Sequence, residues 1–411
     1  MTLSFIRSRA STRSAAAARR RPPWRPARAA VLATALLALV LGAALPAAAA
    51  PSPGPTPGTA RAVVPPGVTA GIAVYDRKAG TFTEQVNPSL PFRSASVVKL
   101  LIALDVLGDR GPDALGAQDR ARVDAMLRTS DDNAASHFWT VNGGGTIIDR
   151  MVRKLGLTDT ARPPATHPGY WGYTALSARD TVTIYRYLLD TAPAAVRDYV
   201  MGGLRSSARC AGDGYDQHFG IPGAFERPWA VKQGWSGFSS GGCTTPAAAT
   251  PAAVAPAAAT PTAGTGGPAA AGVDLARPAL HSTGTVGPDD GTIVAVLTLH
   301  PDGTSYGKAY TDLGRLTRSL NVPGATRPAG MWIGTWGADV VVREEATTKS
   351  RKLTVLPAGA EILVSCQKRG QEVSIPPYTN DWWAYLPQYG GYVTNIYLSV
   401  PENQVPGLRL C

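Results

Sequence analysis

The chain has 411 residues and a formal net charge of +11, so it is long enough for two or three compact units. Eight arginines lie between residues 7 and 28, a segment without acidic residues, and without these eight charges the net charge falls from +11 to +3. The basic charge is therefore concentrated at the N-terminus, and the rest of the chain gives no reason to expect nucleic-acid binding.

Residues 1–50 have the pattern of a secretory signal peptide. An apolar run from Ala29 to Leu45 follows the arginines and ends in small residues. The run is near the lower length limit for a membrane span, but the small residues and the Pro/Gly-rich tether at 51–66 favour cleavage. No cysteine lies near this junction, so we expect a secreted protein, free or attached to the cell wall. We expect neither a lipid anchor nor a stable membrane anchor after cleavage.

Residues 67–321 are predicted to form a mixed α+β domain. The pattern predicts strands at 68–75, 81–85, 228–234, 279–286 and 291–299, and helices at 94–107, 118–128, 131–140, 145–155, 177–190, 193–203 and 304–320. Because the strands lie at the two ends of this region, we expect them to meet in one sheet, with a helical insert between them. Residues 244–272 are almost all Ala, Pro, Thr and Gly, a composition that cannot bury a core.

After a predicted linker at 322–330, residues 331–411 read as a small all-β barrel. Short strand candidates lie at 340–342, 353–356, 362–364, 383–386 and 392–394. A unit of this size has a small hydrophobic core, so a disulfide would help it most.

Four cysteines follow the leader, and an exported chain can form disulfides. Of the three possible pairings, we prefer Cys210 with Cys243 and Cys366 with Cys411, because each bridge then stays within one predicted domain. Each bridge could contribute on the order of 3 kcal/mol. A zinc site is the alternative, but the sequence has no Cys-x-x-Cys or close Cys/His spacing. We expect no metal and no other cofactor.

Ser96 and Lys99 lie three residues apart near the start of the apolar helix, so their side chains share one face. Lys99 can accept the Ser96 proton only as a neutral amine, a form that burial and a second nearby cation favour. A capping serine beside a solvated lysine is the simpler interpretation of Ser-x-x-Lys. The apolar surroundings count against it, because an unpaired lysine in such a helix is costly.

Two further segments follow in order, Ser130-Asp131-Asp132-Asn133 at a helix start and Lys232-Gln233-Gly234 at the end of a strand. Together with Ser96 and Lys99 they resemble the three motifs of the serine β-lactamase and D,D-peptidase superfamily, which includes the penicillin-binding proteins. The resemblance implies an antiparallel sheet with a helical subdomain. That subdomain is trimmed here, because only 34 residues separate Ser96 from Ser130.

The resemblance also implies catalytic roles. Ser96 would be the acylated nucleophile and Lys99 its general base. Ser130 would pass a proton toward the leaving nitrogen, and Lys232 would hold the substrate carboxylate.

A second group of residues would contact the substrate by the same resemblance, namely Asp132, Gln233, Gly234 and Trp235. The backbone N–H groups of Ser96 and Trp235 would form the oxyanion hole. Asp132 stands where the superfamily usually has Asn, and Gln233 replaces the Thr of Lys-Thr-Gly. The change at Gln233 removes a hydroxyl that could contact a carboxylate.

The loop at residues 161–174 departs furthest from class A β-lactamases, which carry there a glutamate that activates water. The sequence has no glutamate between Glu84 and Glu226, and the loop has no acid at all. His167 is the only titratable candidate base, and an ordinary loop histidine is the more probable interpretation. We therefore expect slow release of a β-lactam acyl group.

The C-terminal unit resembles a bacterial SH3-type domain. The resemblance rests on Val342-Arg343, Leu356-Pro357-Ala358-Gly359, Cys366 to Gly370, Asp381-Trp382-Trp383 and Gly391-Tyr392-Val393. Such domains often bind cell-wall peptides, which implies a targeting role. The alternative is a stabilising appendage whose aromatic residues, Trp382, Trp383, Tyr385 and Tyr392, belong to its core.

Three functions remain open from the sequence. The first is a serine hydrolase or D,D-peptidase that acts on cell-wall peptides. The second is a class A-like β-lactamase, which the missing glutamate disfavours. The third is a non-enzymatic wall-binding protein with a degenerate catalytic domain. The departures from the superfamily pattern at Asp132 and Gln233 support this alternative. The expected partners are peptidoglycan, its peptides and β-lactams.

Overall fold

The structure is a computed structural model that describes residues 62–243 and 272–411. The predicted signal peptide, most of the tether and nearly all of the low-complexity stretch lie outside the described residues. Within 62–243 and 272–411, no helix is both long and apolar enough to cross a bilayer.

A five-stranded antiparallel sheet forms the centre of the first region. Its strands are β1 (Thr69–Asp76), β2 (Thr81–Val86), β5 (Trp229–Ser236), β6 (Ala279–Val286) and β7 (Thr292–Leu299). They lie in the order β2-β1-β7-β6-β5. All eight residues of β6 and all eight of β7 are buried, because helices cover both faces of the sheet. Strands from the two ends of the region therefore meet in one sheet, as predicted.

Eight helices accompany the sheet in the described residues. They are α1 (Lys99–Leu107), α2 (Ala117–Arg128), α3 (Asp132–Val141), α4 (Thr146–Leu155), α5 (Ala178–Arg186), α6 (Ala194–Arg205), α7 (Ile221–Ala224) and α8 (Tyr306–Ser319). The first six pack on one sheet face around Leu100, Leu101 and Ile102. The last two pack on the other face around Leu313 and Leu316. The α+β prediction is confirmed.

Two short strands that the sequence did not indicate, β3 (Phe92–Arg93) and β4 (Ala175–Leu176), pair with each other. This pair joins the segment before Ser96 to the end of the 161–174 loop. Both strands are only two residues long, too short for any periodicity to reveal them.

The C-terminal region is all β except for one short 3-10 turn. Its strands are β8 (Met331–Gly334), β9 (Val341–Arg343), β10 (Lys352–Val355), β11 (Glu361–Val364), β12 (Cys366–Ile375), β13 (Tyr378–Leu386) and β14 (Gly391–Thr394). They form a five-stranded sheet, β10-β9-β14-β13-β12, and a separate pair, β11-β8. Within the described residues these sheets do not close into a detected barrel, so the SH3-like barrel stays a prediction. Strands β8 and β12 were not predicted.

The two regions share a polar contact surface. Arg209 bonds to Asp216 at 3.2 Å and lies over the ring of Tyr389, 3.9 Å from the centroid. The Tyr389 hydroxyl donates to the Asp216 carboxylate at 3.1 Å. Asp216 is fully buried and also accepts the His218 N–H at 2.9 Å, so residues from both regions satisfy its charge. The C-terminal strands are thereby attached to the loop that follows α6.

Both disulfides have the predicted local pairing. Cys210–Cys243 closes a separation of 33 residues and Cys366–Cys411 one of 45 residues. The first bridge fixes the 210–216 loop beside the end of β5. The second holds the C-terminal residue against β12.

Candidate active site

Ser96 lies in a 3-10 turn, Ala95–Val98, that continues directly into α1. The predicted helix is therefore present, with a tightened first turn. Ala95 has φ of +44°, an uncommon conformation for a residue with a side chain. Such conformations persist where the surroundings enforce them, often at functional sites. Here the Ser94 N–H donates to the Thr174 carbonyl at 2.8 Å, which holds the segment before Ser96 in place.

Lys99 begins α1 and is completely buried. Its Nζ donates to Ser96 Oγ at 2.9 Å and to the Ser130 carbonyl at 2.6 Å. It also contacts the Asp132 carboxylate. A buried lysine with three acceptors, one of which is a carboxylate, has a partner for each N–H group.

Ser130 and Asp132 come from the turn between α2 and α3. Asp131 caps α3 by accepting the Ala134 N–H at 2.7 Å, which fixes how the chain enters the helix. Ser130 has φ of +56° and directs its carbonyl and hydroxyl toward Lys99. The Ser130 hydroxyl also accepts from Lys232 Nζ at 2.8 Å. One short turn therefore contacts both lysines.

Strand β5 carries the third predicted segment at the edge of the sheet. Lys232 is buried beside Ser130, and Gly234 allows β5 to approach the nucleophile turn. A Cβ at Gly234 would lie 3.0 Å from the Ser94 carbonyl and 3.3 Å from the Ala95 side chain. A larger residue would push the strand away from Ser96.

Gln233 lies apart from the other predicted residues. It points to the opposite side of β5, where its amide donates to the Phe219 carbonyl at 2.7 Å and it is 1% exposed. It does not line the pocket in front of Ser96. The structure thus brings Ser96, Lys99, Ser130, Asp132 and Lys232 together, and it places Trp235 but not Gln233 at the pocket wall.

The two lysines differ in their electrostatic surroundings. Burial lowers the pKa of Lys232 well below its ordinary value, and the nearby positive charge of Lys99 lowers it further. The negative charge of Asp132 acts in the opposite direction and raises the pKa of Lys232. Its carboxylate contacts Lys99 and not Lys232, so this effect is the smaller one. Burial therefore drives Lys232 toward the neutral amine.

A pocket of about 140 Å³ opens in front of Ser96. The 161–174 loop supplies its aromatic wall with Tyr170, Trp171 and Tyr173. The Tyr170 and Tyr173 rings stack at 5.1 Å, and Lys99 Nζ lies 4.7 Å from the Trp171 ring centroid. His167 packs against the two tyrosines and does not line the pocket.

Asp213 is a pocket residue that the sequence reasoning missed. Its carboxylate accepts the Trp235 Nε1–H at 2.9 Å. Desolvation raises its pKa, and the charge of Asp132 adds to the rise. The sequence gives one weak signal, an acid within Gly212-Asp213-Gly214 close to Cys210. Long-range contacts bring that loop to β5, including the disulfide and the stack of Tyr215 on Trp235.

A larger cleft of about 870 Å³ adjoins this pocket and reaches the C-terminal strands. Ser130 and Asp132 lie at one end, and Asp339 and Lys352 lie at the other. The C-terminal region therefore forms part of the surface next to the nucleophile.

Comparison with known proteins gives partial matches. No protein-family profile matches the chain. Curated relatives include proteins named "Putative lipoprotein LppW" from Mycobacterium tuberculosis (strain ATCC 25618 / H37Rv) and Mycobacterium bovis (strain ATCC BAA-935 / AF2122/97). Each is 39% identical over 175 residues, which is 41% of this chain and 54% of the relative. The chain thus spans about half the length of these relatives.

Similar solved structures include the protein PBP-A, with a TM-score of 0.42 at 15% identity over 62% of this chain and 89% of that chain. A class A β-lactamase from Mycobacterium abscessus has a TM-score of 0.41 at 17% identity, over 62% and 92%. A β-lactamase from Burkholderia phymatum has a TM-score of 0.40 at 17% identity, over the same shares. These matches cover the N-terminal part of the chain.

Proposed function

We propose that this protein is an exported serine hydrolase of the β-lactamase and penicillin-binding type that is acylated at Ser96 and acts on cell-wall peptides. One observation carries the proposal. A continuous chain of contacts runs from Ser96 Oγ to Lys99 Nζ, to Ser130 Oγ and on to Lys232 Nζ, at 2.9, 3.3 and 2.8 Å. Such a chain connects a nucleophile to a route for its proton.

The acylation step follows from these contacts. Ser96 Oγ forms a bond to the substrate carbonyl carbon while its proton moves to Lys99. Lys99 acts as a neutral amine, after its ammonium proton has passed through the Ser130 hydroxyl to the amine of Lys232. The carbon–nitrogen bond then breaks, and the proton passes through the Ser130 hydroxyl to the leaving nitrogen. Water later attacks the ester at Ser96, which releases the acid and returns the proton to the serine.

The side chains of the pocket disfavour fast β-lactam turnover. The 161–174 loop has no acidic residue and contributes Trp171 to the pocket wall, so water in this corner meets an indole ring. The two carboxylates in the pocket are Asp132 and Asp213. Asp132 contacts Lys99, and Asp213 accepts from Trp235. Both already accept hydrogen bonds from protein donors, which leaves them less available to orient a deacylating water.

The proposed location follows from the predicted leader and from the relatives' printed name. A lipoprotein belongs to the cell envelope, and an exported location agrees with two disulfides. The C-terminal region would direct the protein to peptidoglycan. Its exposed aromatic residues Trp336 and Tyr378 line a cavity of about 520 Å³ with Asn380 and Glu402, whereas Trp383 is buried in the core.

Intact-mass analysis tests the acylation proposal. The full mature chain is incubated with excess penicillin and, separately, with an uncharged activated thioester, and the adduct is mapped by peptide digestion. We expect a slowly formed, long-lived adduct on Ser96 that disappears in Ser96→Ala. Rapid turnover without an adduct would favour the β-lactamase function. Absence of an adduct from both reagents would favour a non-enzymatic wall-binding protein.

Co-sedimentation with purified peptidoglycan tests the targeting role. We expect the double variant Trp336→Ala, Tyr378→Ala to pellet less than the parent protein. Leu410→Ala is the matched control, because Leu410 is an exposed apolar residue of the same region outside this cavity. Equal pelleting of all three proteins would remove the proposed role of these aromatic residues.

A further inference from the structure

The pocket in front of Ser96 is acidic. Its charged lining residues are Asp132 and Asp213, and the described residues that line it include no lysine or arginine. A substrate carboxylate placed there would face the Asp213 carboxylate and the exposed part of Asp132, whose charge Lys99 balances only in part. Penicillins and free peptide C-termini carry such a carboxylate, so they are poorly matched to this pocket.

The cations closest to the pocket are already occupied behind its wall. Lys99 contacts Ser96, Ser130 and Asp132. Lys232 donates to Ser130 Oγ at 2.8 Å and is 1% exposed. These side chains complete the nucleophile machinery and do not offer an ammonium group to a ligand.

Arg93 is the third nearby cation, and it is also engaged. Its Nε donates to Ser236 Oγ at 2.7 Å, and its two terminal nitrogens donate to the carbonyls of Asp274 and Arg277. It is 2% exposed and absent from the pocket lining. Gln233, which stands where the superfamily has Thr, also offers no hydrogen bond to a substrate carboxylate. Its side chain points away from the pocket and has no hydroxyl group.

The remaining pocket wall is aromatic. Tyr170, Trp171, Tyr173 and Trp235 line it beside the two carboxylates. Aromatic faces attract cations through their quadrupole, and carboxylates pair with ammonium groups. Both kinds of wall therefore favour a positively charged group and also accept its apolar stem.

The adjoining cleft extends the same charge pattern. Asp131, Asp132, Asp213 and Asp339 line it, with Lys352 as the single basic residue among its described lining residues. A ligand that leaves the Ser96 pocket in this direction continues along a surface of net negative charge. The selection for positive charge thus extends beyond one subsite.

We infer that the Ser96 pocket selects a substrate with an amine-bearing side chain close to the acyl group, in the form of an ammonium group held between Asp213, Asp132 and the aromatic wall. Asp213 is the specificity-determining residue, because its carboxylate lies in the pocket without contacting either lysine of the nucleophile machinery. The inference rests on the proposed acylation at Ser96 and specifies its substrate as an amine-bearing peptide in place of a carboxylate-terminated one.

Calorimetric binding to the full chain with Ser96→Ala tests this inference without any acylation. The probes are Nα-acetyl-lysinamide (cation), Nα-acetyl-norleucinamide (neutral, similar stem) and the monoanion of Nα-acetyl-glutamic acid α-amide. We expect the cation to bind about tenfold tighter than the neutral probe and the anion to bind weakest. Added salt should weaken the binding of the cationic probe only.

Asp213→Asn in the Ser96→Ala background should remove most of that tenfold preference and leave the neutral probe unchanged. Asp198→Asn, an exposed aspartate on α6, is the matched control and should change neither affinity. Equal binding of cation and neutral probe, tighter binding of the anion, or no binding of the cation at millimolar concentrations would each overturn the inference. The Ser96 adduct of the intact protein is measured separately, so failure of acylation and failure of amine selection are distinguishable.

Discussion

The ammonium group of Lys99 contacts the carboxylate of Asp132, although the Lys99 side chain is fully buried and 47% of the Asp132 side chain is exposed. The pair therefore lies at the boundary between the protein interior and the pocket. A buried charge with a partly hydrated counterion loses less solvation than a fully buried pair. Asp132 thereby supplies a negative charge where the superfamily resemblance leads one to expect a neutral amide.

Asp132→Asn should destabilise the protein by about 1–2 kcal/mol, because Lys99 keeps its hydroxyl and carbonyl acceptors but loses its charged partner. Urea unfolding at neutral pH measures this loss. Asp119→Asn is the control, since it breaks an ion pair with Arg122 whose two side chains are 42% and 29% exposed. Exposed pairs contribute little, so equal losses in the two variants would contradict the assigned role of Asp132.

Lys232 should make stability rise with pH above neutrality. Its folded-state pKa is lowered well below the ordinary 10.5 by burial, so between these two values the unfolded chain binds more protons than the folded protein. Stability then increases as the pH rises toward 10.5, by at most about 1.4 kcal/mol per pH unit. Unfolding curves between pH 7 and about 10 should show a flatter dependence for Lys232→Met than for the parent. Parallel curves would contradict this prediction.

Periodicity predicted most of the regular structure, because long segments with a clear apolar pattern leave few alternatives. The helices α2 to α6 and the strands β1, β5, β6 and β7 begin and end within a few residues of their predicted bounds. The short pair Phe92–Arg93 and Ala175–Leu176 and the polar strand β12 have no such pattern. These elements form because tertiary contacts position them, which a local pattern does not report.

The site was predictable where chemistry depends on spacing along one element. Ser96 and Lys99 are three residues apart, and the turn at Ser130 starts a capped helix. Asp213 and Trp171 enter the pocket through long-range contacts, one beside a disulfide and one from an irregular loop. No local rule places either residue near Ser96, because the acid Asp213 comes from the loop beside Cys210 and not from the 161–174 loop.

His281 should contribute to acid lability near the nucleophile. Its Nδ1 accepts the Thr298 N–H at 3.1 Å, so its proton lies on Nε2, which donates to the Arg93 carbonyl at 2.8 Å. A second proton would face the Thr298 N–H, and burial lowers the pKa of His281 to about 4.

As the pH falls from about 6.5 to about 4, the imidazole of residue 281 is therefore protonated in the unfolded chain but not in the folded protein. This difference lowers the stability of the folded protein by on the order of 3 kcal/mol. His281→Asn keeps an acceptor for the Thr298 N–H and removes this titration. We expect that variant to be less stable at pH 7 but to lose less stability between pH 6.5 and 4 than the parent. Denaturant unfolding at each pH gives the pH dependence of the free energy of unfolding for the variant and for the parent. The same pH dependence in both proteins would show that His281 does not contribute to acid lability.

Gly307 in α8 should control how the C-terminal strands dock. A Cβ at this position would lie 1.9 Å from the Ala358 carbonyl oxygen, and Ala358 also lines the large cleft beside Ser130. Gly307→Ala must therefore displace the 357–360 turn, at a cost of about 1–3 kcal/mol. Gly202→Ala, in α6, is the control, because a Cβ at that position meets no atom within 4 Å.

The control should be neutral or stabilising by up to about 1 kcal/mol, because alanine favours the helix. Thermal unfolding and limited proteolysis of the 322–330 segment compare the two variants. Faster cleavage in Gly307→Ala alone is the expected result, because a displaced turn loosens the attachment of the strands that follow this segment. If both variants are cleaved as slowly as the parent, the close approach of α8 and the 357–360 turn does not determine docking, and the cleft beside Ser130 does not depend on it.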